Sequence, residues 1–229
     1  MALFSIMEPN DPYALKLTPE MLLSAYAHGI FPMAESAKSN DLFWVDPDER
    51  GVIPLDGFHI SKSLKKKMRR NLFEVRVDTN FMSVISNCAA ERRDSADTWI
   101  NDEIIELYHS LFRTGHCHTV EVWSQNNLVG GLYGIAIGGA FFGESMFHKE
   151  RDASKIALAH LVDRLNVGGF HLLDTQFITD HLRSLGAVEI SRAQYHQHLQ
   201  RALQIDADFY RLDGGGISDD CLQSTSQMS

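Results

Sequence analysis

The chain has 229 residues, 44% of them apolar, enough for a sizeable core in one large domain or two small ones. It has no run of about 18 apolar residues and no basic, then apolar, signal-like start, and its three cysteines (Cys88, Cys117, Cys221) are too scattered for a disulfide framework or zinc ribbon, so a soluble cytoplasmic protein is expected. A formal net charge of −9 repels polyanions as a whole, so any contact with nucleic acid must be local.

Residues 1–12, with Pro9-Asn10-Asp11-Pro12, read as an irregular lead-in. Thr18-Pro19-Glu20 begins a helix, Thr18 as N-cap and Pro19 in the first turn, which runs to His28 and stops at Gly29. Ile30-Phe31-Pro32-Met33 leaves it extended, because the residue before a proline avoids the helical region. Leu42 to Pro54 reads as strand, Pro47-Asp48 turn and strand, and residues 1–57 are grouped as a small N-terminal lobe. Lys62 to Arg70 carries six positive charges in nine residues on a helix spanning 61–70, either a solvated face or a set of phosphate contacts. Leu72 to Asp78 alternates as a strand. Phe81 to Ala90 and Asn101 to Thr114 read as helices, the second with Asp102 and Glu103 in its first turn. Thr119 to Trp123 is a strand.

Gly130 to Ile137, the Gly138-Gly139 turn and Ala140 to Ser145 form a hairpin. Alternation puts Phe142, Glu144 and Met146 on one face and Phe141, Gly143 and Ser145 on the other. Glu144 is a lone charge on an apolar strand, and because burying it unpaired is costly it is expected to line a cleft. Ala153 to Leu165 has helical spacing at Leu158, Leu161, Val162 and Leu165, and Gly168-Gly169 stops it. Phe170 to Phe177 is then a strand on which Asp174 and Gln176 share a face. A strand, helix and strand of this length form a right-handed parallel crossover, which brings Glu144 and Asp174 to one edge of the sheet. Helices over 179–185 and 193–203 flank a strand over 187–190, and the glycine-rich tail 213–229 is expected to be disordered.

From residue 71 onward this order resembles the acetyltransferase-like (GNAT-like) fold, an α+β class with a mixed sheet; the catalytic domain is placed at 58–212. A set of motifs carries a closer resemblance: Gly29-Ile30-Phe31-Pro32, Trp44-x-x-Pro47-Asp48-x-Arg50, Thr98-Trp99-Ile100, Gly130-Gly131-Leu132-Tyr133-Gly134, Phe142-Gly143-Glu144-Ser145-Met146-Phe147, Ala153-Ser154-Lys155, Asp174-x-Gln176 and His181-x-x-Ser184-Leu185-Gly186-Ala187. In this order they resemble the leucyl/phenylalanyl-tRNA–protein transferase family. Two departures are visible: Met33 stands where the family has an aromatic residue, and Tyr13-Ala14-Leu15-Lys16-Leu17 replaces a Gly-Gly-Asp lead-in.

The resemblance implies transfer of leucine or phenylalanine from its tRNA to the N-terminal lysine or arginine of a protein, marking it for degradation. It implies no metal or coenzyme, no membrane, and a monomer. An α-amino group with a pKa of about 8 is roughly a tenth neutral at neutral pH, so the nucleophile must be selected and held. Asp174, aided by Gln176, is expected to stabilise the charge that develops on the attacking nitrogen and to help remove its proton; Glu144 is expected to hold the basic acceptor, the two carboxylates being able to exchange these tasks. Met33, Phe141, Met146, Leu158, Leu161 and Leu165 are candidates for the acyl slot. Tyr26, Trp99 and Tyr108 match family positions near the terminal adenosine, and Lys62, Lys65, Lys66, Lys67, Arg69 and Arg70 are the candidate tRNA-backbone contacts.

Two other enzyme classes compete. Ser145, Asp174 and His181 fall in the chain order of an α/β-hydrolase triad, although Phe147 replaces the second glycine of the elbow. An acyl-coenzyme A transferase suits the fold, yet the link His148-Lys149-Glu150-Arg151-Asp152 lacks glycine for a pyrophosphate loop. His116-Cys117-His118 aligns two possible metal ligands and has no evident third.

Overall fold

Two sheets organise the computed structural model, which describes residues 2–5, 17–34, 42–70, 72–90 and 100–212. The smaller is antiparallel in the order β1-β3-β2, from β1 (Ala2–Ser5), β2 (Phe31–Ala34) and β3 (Leu42–Asp46). The larger has seven strands: β4 (Glu49–Val52), β5 (Glu74–Val77), β6 (Cys117–Ser124), β7 (Asn127–Ile137), β8 (Ala140–His148), β9 (Leu172–Gln176) and β10 (Val188–Ser191). Their order is β10-β4-β9-β8-β7-β6-β5, antiparallel throughout except for the parallel β8/β9 pair. This is an α+β architecture with a mixed sheet. The strand Glu49–Val52, grouped by sequence with the N-terminal lobe, belongs to the larger sheet, because the turn at Pro47-Asp48 carries the chain from β3 into a place between β9 and β10. Strand pairing therefore crosses the expected boundary at residue 57.

Seven helices complete the described residues: α1 (Pro19–Ala27), α2 (Lys62–Met68), α3 (Phe81–Ala89), α4 (Asp102–Arg113), α5 (Ala153–Gly168), α6 (Asp180–Arg183) and α7 (Arg192–Ala202). Thr18, Ser61, Asn80, Asn101, Thr179 and Ser191 each accept a backbone N–H from the first turn that follows, satisfying a donor that the helix itself leaves open. Gly169 closes α5 in the left-handed conformation, φ 77°.

Each face of the larger sheet has its own core. On one side α5 and α2 bury Ile156, Leu161, Val162, Leu165 and Leu64 against Val120, Val122, Leu132 and Phe141. On the other, α1, α3, α4 and α7 bury Tyr26, Val84, Ile85, Leu107, Tyr108 and Leu199 with Tyr133, Ile135 and Phe142, and the small sheet adds Phe31 and Val45 to the same core. Close backbone approach sets the glycines of β7. A Cβ on Gly134 would stand 2.4 Å from the Phe142 carbonyl oxygen, and one on Gly130 would stand 2.5 Å from Cβ of Ala153 in α5.

The β7/β8 ladder contains a bulge that alternation cannot foresee. Tyr133 pairs with Ser145 but Gly134 pairs with Gly143, so Glu144 is the extra residue. The faces of β8 exchange at that point. Phe142 shares a core with Phe147, and Phe141 shares the opposite one with Met146, so the expected grouping of Phe142, Glu144 and Met146 on one face is corrected.

Candidate active site

The parallel β8/β9 ladder runs Ala140↔Leu172, Phe141↔Leu173 and Phe142↔Asp174, and no further pair follows. Beyond it lies a cleft of about 100 Å³ lined by Gly143, Glu144 and Ser145 from the bulged end of β8 and by Thr175 and Gln176 from the end of β9. Its apolar walls are Leu132, Met146, Leu158, Leu161, Leu173 and Leu182. Among the described residues, Tyr133 Oη, Thr175 Oγ1, Gln176 Nε2 and His181 Nε2 are buried without a hydrogen-bond partner, and three of these four atoms belong to residues of the cleft. Buried polar atoms are normally paired, so this concentration makes the cleft the candidate site.

Glu144 is half-buried at the bottom of this cleft. Tyr26 Oη donates to its Oε1 at 2.7 Å and Tyr108 Oη to its Oε2 at 3.0 Å, while the two phenol oxygens lie 2.5 Å apart. The three contacts close a ring of four oxygens in which either phenol is able to donate to the other. Burial raises the Glu144 pKa from 4.5 to about 7 against the opposing phenol hydrogen bonds, with Asp174 adding to the rise and Arg50 countering it. Glu144 is therefore poised to take up or release a proton near neutrality.

Asp174 has a different environment. It is fully buried, and Arg50 donates to both of its oxygens, Nε to Oδ1 at 3.0 Å and Nη2 to Oδ2 at 2.6 Å. Tyr195 Oη donates to Oδ2 at 2.7 Å and the Gln176 backbone N–H to Oδ1 at 2.8 Å. The two carboxylates do share one end of the sheet, but Asp174 faces protein donors and Glu144 faces the cleft. This leaves Glu144 as the carboxylate that borders the cleft. It also removes the hydrolase triad, since the Asp174 oxygens are engaged by Arg50, Tyr195 and Gln176.

The comparisons with known proteins now bear on this geometry. A family model described as leucyl/phenylalanyl-tRNA protein transferase matches residues 52–200, and one described as the N-terminal domain of that transferase matches residues 16–48. The chain belongs to the leucyl/phenylalanyl-tRNA protein transferase family. The leucyl/phenylalanyl-tRNA–protein transferase of Afipia carboxidovorans is 54% identical over 90% of this chain and 91% of its own length. The relative of that name from Caulobacter vibrioides is 54% identical over 93% and 98%, and one from Rhodopseudomonas palustris is 56% identical over 90% of each. Among solved structures, L-PGS from Bacillus licheniformis is 13% identical with a TM-score of 0.38, covering 72% of this chain and 55% of that one. A functionally unknown conserved protein from Staphylococcus epidermidis is 12% identical with a TM-score of 0.38, covering 82% and 68%.

For a leucyl/phenylalanyl-tRNA protein transferase, the placement of the sequence-derived candidates divides sharply. Met146, Leu158 and Leu161 line the cleft as expected. Phe141 and Leu165 are fully buried core residues of the α5 face, and Met33 packs from β2 against the opposite core; none of the three borders the cleft. Leu132, Leu173 and Leu182 take their places, and only Leu132 had a signal, its register opposite Met146 in the hairpin. Tyr26 and Tyr108 have no exposed surface and meet Glu144 through their hydroxyls, so neither ring offers a face to a base. Trp99 lies outside the described residues.

The basic helix α2 is likewise split. Lys62, Lys66, Arg69 and Arg70 are exposed, whereas Lys65 is buried and Lys67 donates to the Arg151 carbonyl and pairs with Asp152 at 3.3 Å. Asp152 stands at the N-terminus of α5 in the left-handed conformation, φ 72°. Its carboxylate brings negative charge to that helix start and pairs with Lys67 and Lys155, a setting that disfavours the pyrophosphate of an acyl-coenzyme A donor. Among the described residues no helix is long and apolar enough to cross a membrane.

Proposed function

We propose that this chain transfers a leucyl or phenylalanyl group from its tRNA to the N-terminal lysine or arginine of an acceptor protein, acting as a cytoplasmic monomer that marks the acceptor for degradation. The acetyltransferase-like reading of the sheet belongs to the same proposal: acyl donor and amine meet where β8 and β9 cease to pair. The observation that carries it is the cleft itself, an apolar slot beside a carboxyl group of near-neutral pKa and an unpartnered buried amide. An uncharged aliphatic or aromatic side chain fits the walls of Leu132, Leu158, Leu161 and Leu173. The net charge of −9 attracts a cationic protein N-terminus and leaves tRNA to the exposed cations of α2.

Ionised Glu144 accepts a proton from the acceptor α-ammonium, releasing the lone pair of the amine. The amine attacks the ester carbonyl of the aminoacyl-tRNA, and Gln176 Nε2 donates to the carbonyl oxygen as negative charge builds on it. The ester C–O bond then breaks, the second nitrogen proton passes to the departing ribose oxygen, and the proton on Glu144 returns to solvent. The ester is already activated, so holding the amine and carbonyl in register supplies much of the acceleration. Incubation with radiolabelled leucyl-tRNA and a protein beginning with arginine tests the proposal. Label entering the protein is expected; label released only as free leucine would make the chain a hydrolase.

A further inference from the structure

The buried pair Arg50–Asp174 is more elaborate than a structural ion pair requires. Arg50 is 1% exposed, and its guanidinium lies 4.4 Å from the centroids of both the Phe31 and the Tyr195 rings. Its Nη1 donates to the Gly29 carbonyl at 3.0 Å, so the turn after α1, β2 and α7 all fix the orientation of one side chain on β4. The fork formed by Nε and Nη2 fits a carboxylate in a single geometry, which an ammonium group cannot reproduce. At the far end of this assembly Gln176 is held at φ 57°, the left-handed region that a non-glycine residue adopts only when its surroundings impose it. Two hydrogen bonds hold it there: Gln176 N–H donates to Asp174 Oδ1 at 2.8 Å, and Phe177 N–H donates back to the Thr175 carbonyl at 2.6 Å, closing a tight turn around Gln176.

The geometry points to Arg50 and Tyr195 as positioning residues of the transfer: they lock the Asp174 carboxylate, which sets the backbone of Gln176 so that its side chain lines the cleft. Neither residue touches the substrate. Asp174 on this view is an anchor, and its charge serves to hold Arg50, Tyr195 and the Gln176 N–H in one arrangement. The inference rests on the reading of Gln176 as the donor to the ester carbonyl. It explains why a residue of the small-lobe motif, Arg50, and one beyond the last β-strand, Tyr195, converge on the end of β9 from 124 and 21 residues away.

Tyr195→Phe is the decisive variant, since the ring over Arg50 is retained and only the bond to Asp174 is removed. It is expected to lower kcat about tenfold with KM for leucyl-tRNA nearly unchanged, while the melting temperature falls by a few degrees, as for loss of one buried hydrogen bond to a charged group, and the chain stays folded at the assay temperature. Arg50→Lys, which keeps the charge and loses the fork, is expected to lower kcat further. Because both act through Gln176, Tyr195→Phe combined with Gln176→Ala is expected to be no slower than Gln176→Ala alone. Multiplied losses in the double variant, or full activity of Tyr195→Phe beside a slow Gln176→Ala, would overturn the positioning role and leave the function standing. Full activity of Gln176→Ala would instead remove the reading of Gln176, and the inference with it.

Discussion

Glu144 was legible in the sequence because a single charge on an apolar strand has few physically acceptable positions. Its chemistry was not legible, since the pKa depends on two phenols, Tyr26 and Tyr108, which lie 118 and 36 residues away in sequence and which the resemblance puts near the terminal adenosine instead. The same limit hid the surroundings of Asp174: nothing in the sequence announces that Arg50 will cover it. The proposed role of Glu144 has a direct test. If ionised Glu144 is the proton acceptor, the single-turnover transfer rate should rise with pH through a midpoint near 7, the pKa that burial gives it. Glu144→Gln should lose that limb and slow transfer by 10²-fold or more, the usual contribution of a positioned base being about 10²–10⁴. An unchanged limb in the variant would assign the proton to another group.

At the scale of elements, sequence reading succeeded where local signals decide. The caps Thr18 and Asn101 start α1 and α4, the hairpin turns at Gly138-Gly139, and the crossover β8-α5-β9 is parallel. It failed at the bulge, because one inserted residue leaves no mark in an apolar strand yet exchanges the two faces. The backbone in that region leaves no space for a side chain on Gly134. Gly134→Ala would place a methyl group 2.4 Å from a carbonyl oxygen, and urea unfolding should show a loss of about 1–3 kcal/mol, the range for overpacking. The basic run of α2 makes a second prediction. Its exposed members Lys62, Lys66 and Arg70 should each neutralise a tRNA phosphate, so changing these three to glutamine should reduce the slope of log affinity for aminoacyl-tRNA against log salt by about 0.7–0.9 for every phosphate so released. An unaltered slope would make α2 a solvated face. Lys65 and Lys67 belong to a different class, and replacing them should act through stability, since one is buried and the other is tied to Asp152 and the Arg151 carbonyl.

At the scale of the whole molecule, two buried groups pull stability in opposite directions with pH. Glu144 titrates near 7 in the fold against 4.5 ordinarily, so between these values the folded chain keeps a proton that the unfolded chain has released, and stability falls as pH rises. His160, on α5, is held at about 4 against 6.5, with burial as the main cause and Arg164 beside it as the second. There the unfolded chain binds the proton, and stability rises with pH across that window. The two effects oppose each other between pH 4.5 and 6.5, leaving the parent's stability nearly level from these groups over that range. Glu144→Gln, which resembles the protonated carboxyl and still bonds the two phenols, removes only the falling contribution. Chemical denaturation of the variant should therefore show stability climbing by about 3 kcal/mol from pH 4 to 6.5, and exceeding that of the parent by a similar amount at pH 8, since one pKa unit corresponds to about 1.4 kcal/mol. Parallel curves for parent and variant would mean that Glu144 is ionised at little cost in the fold. It would then have no near-neutral proton site, and the general-base step would have to be assigned elsewhere.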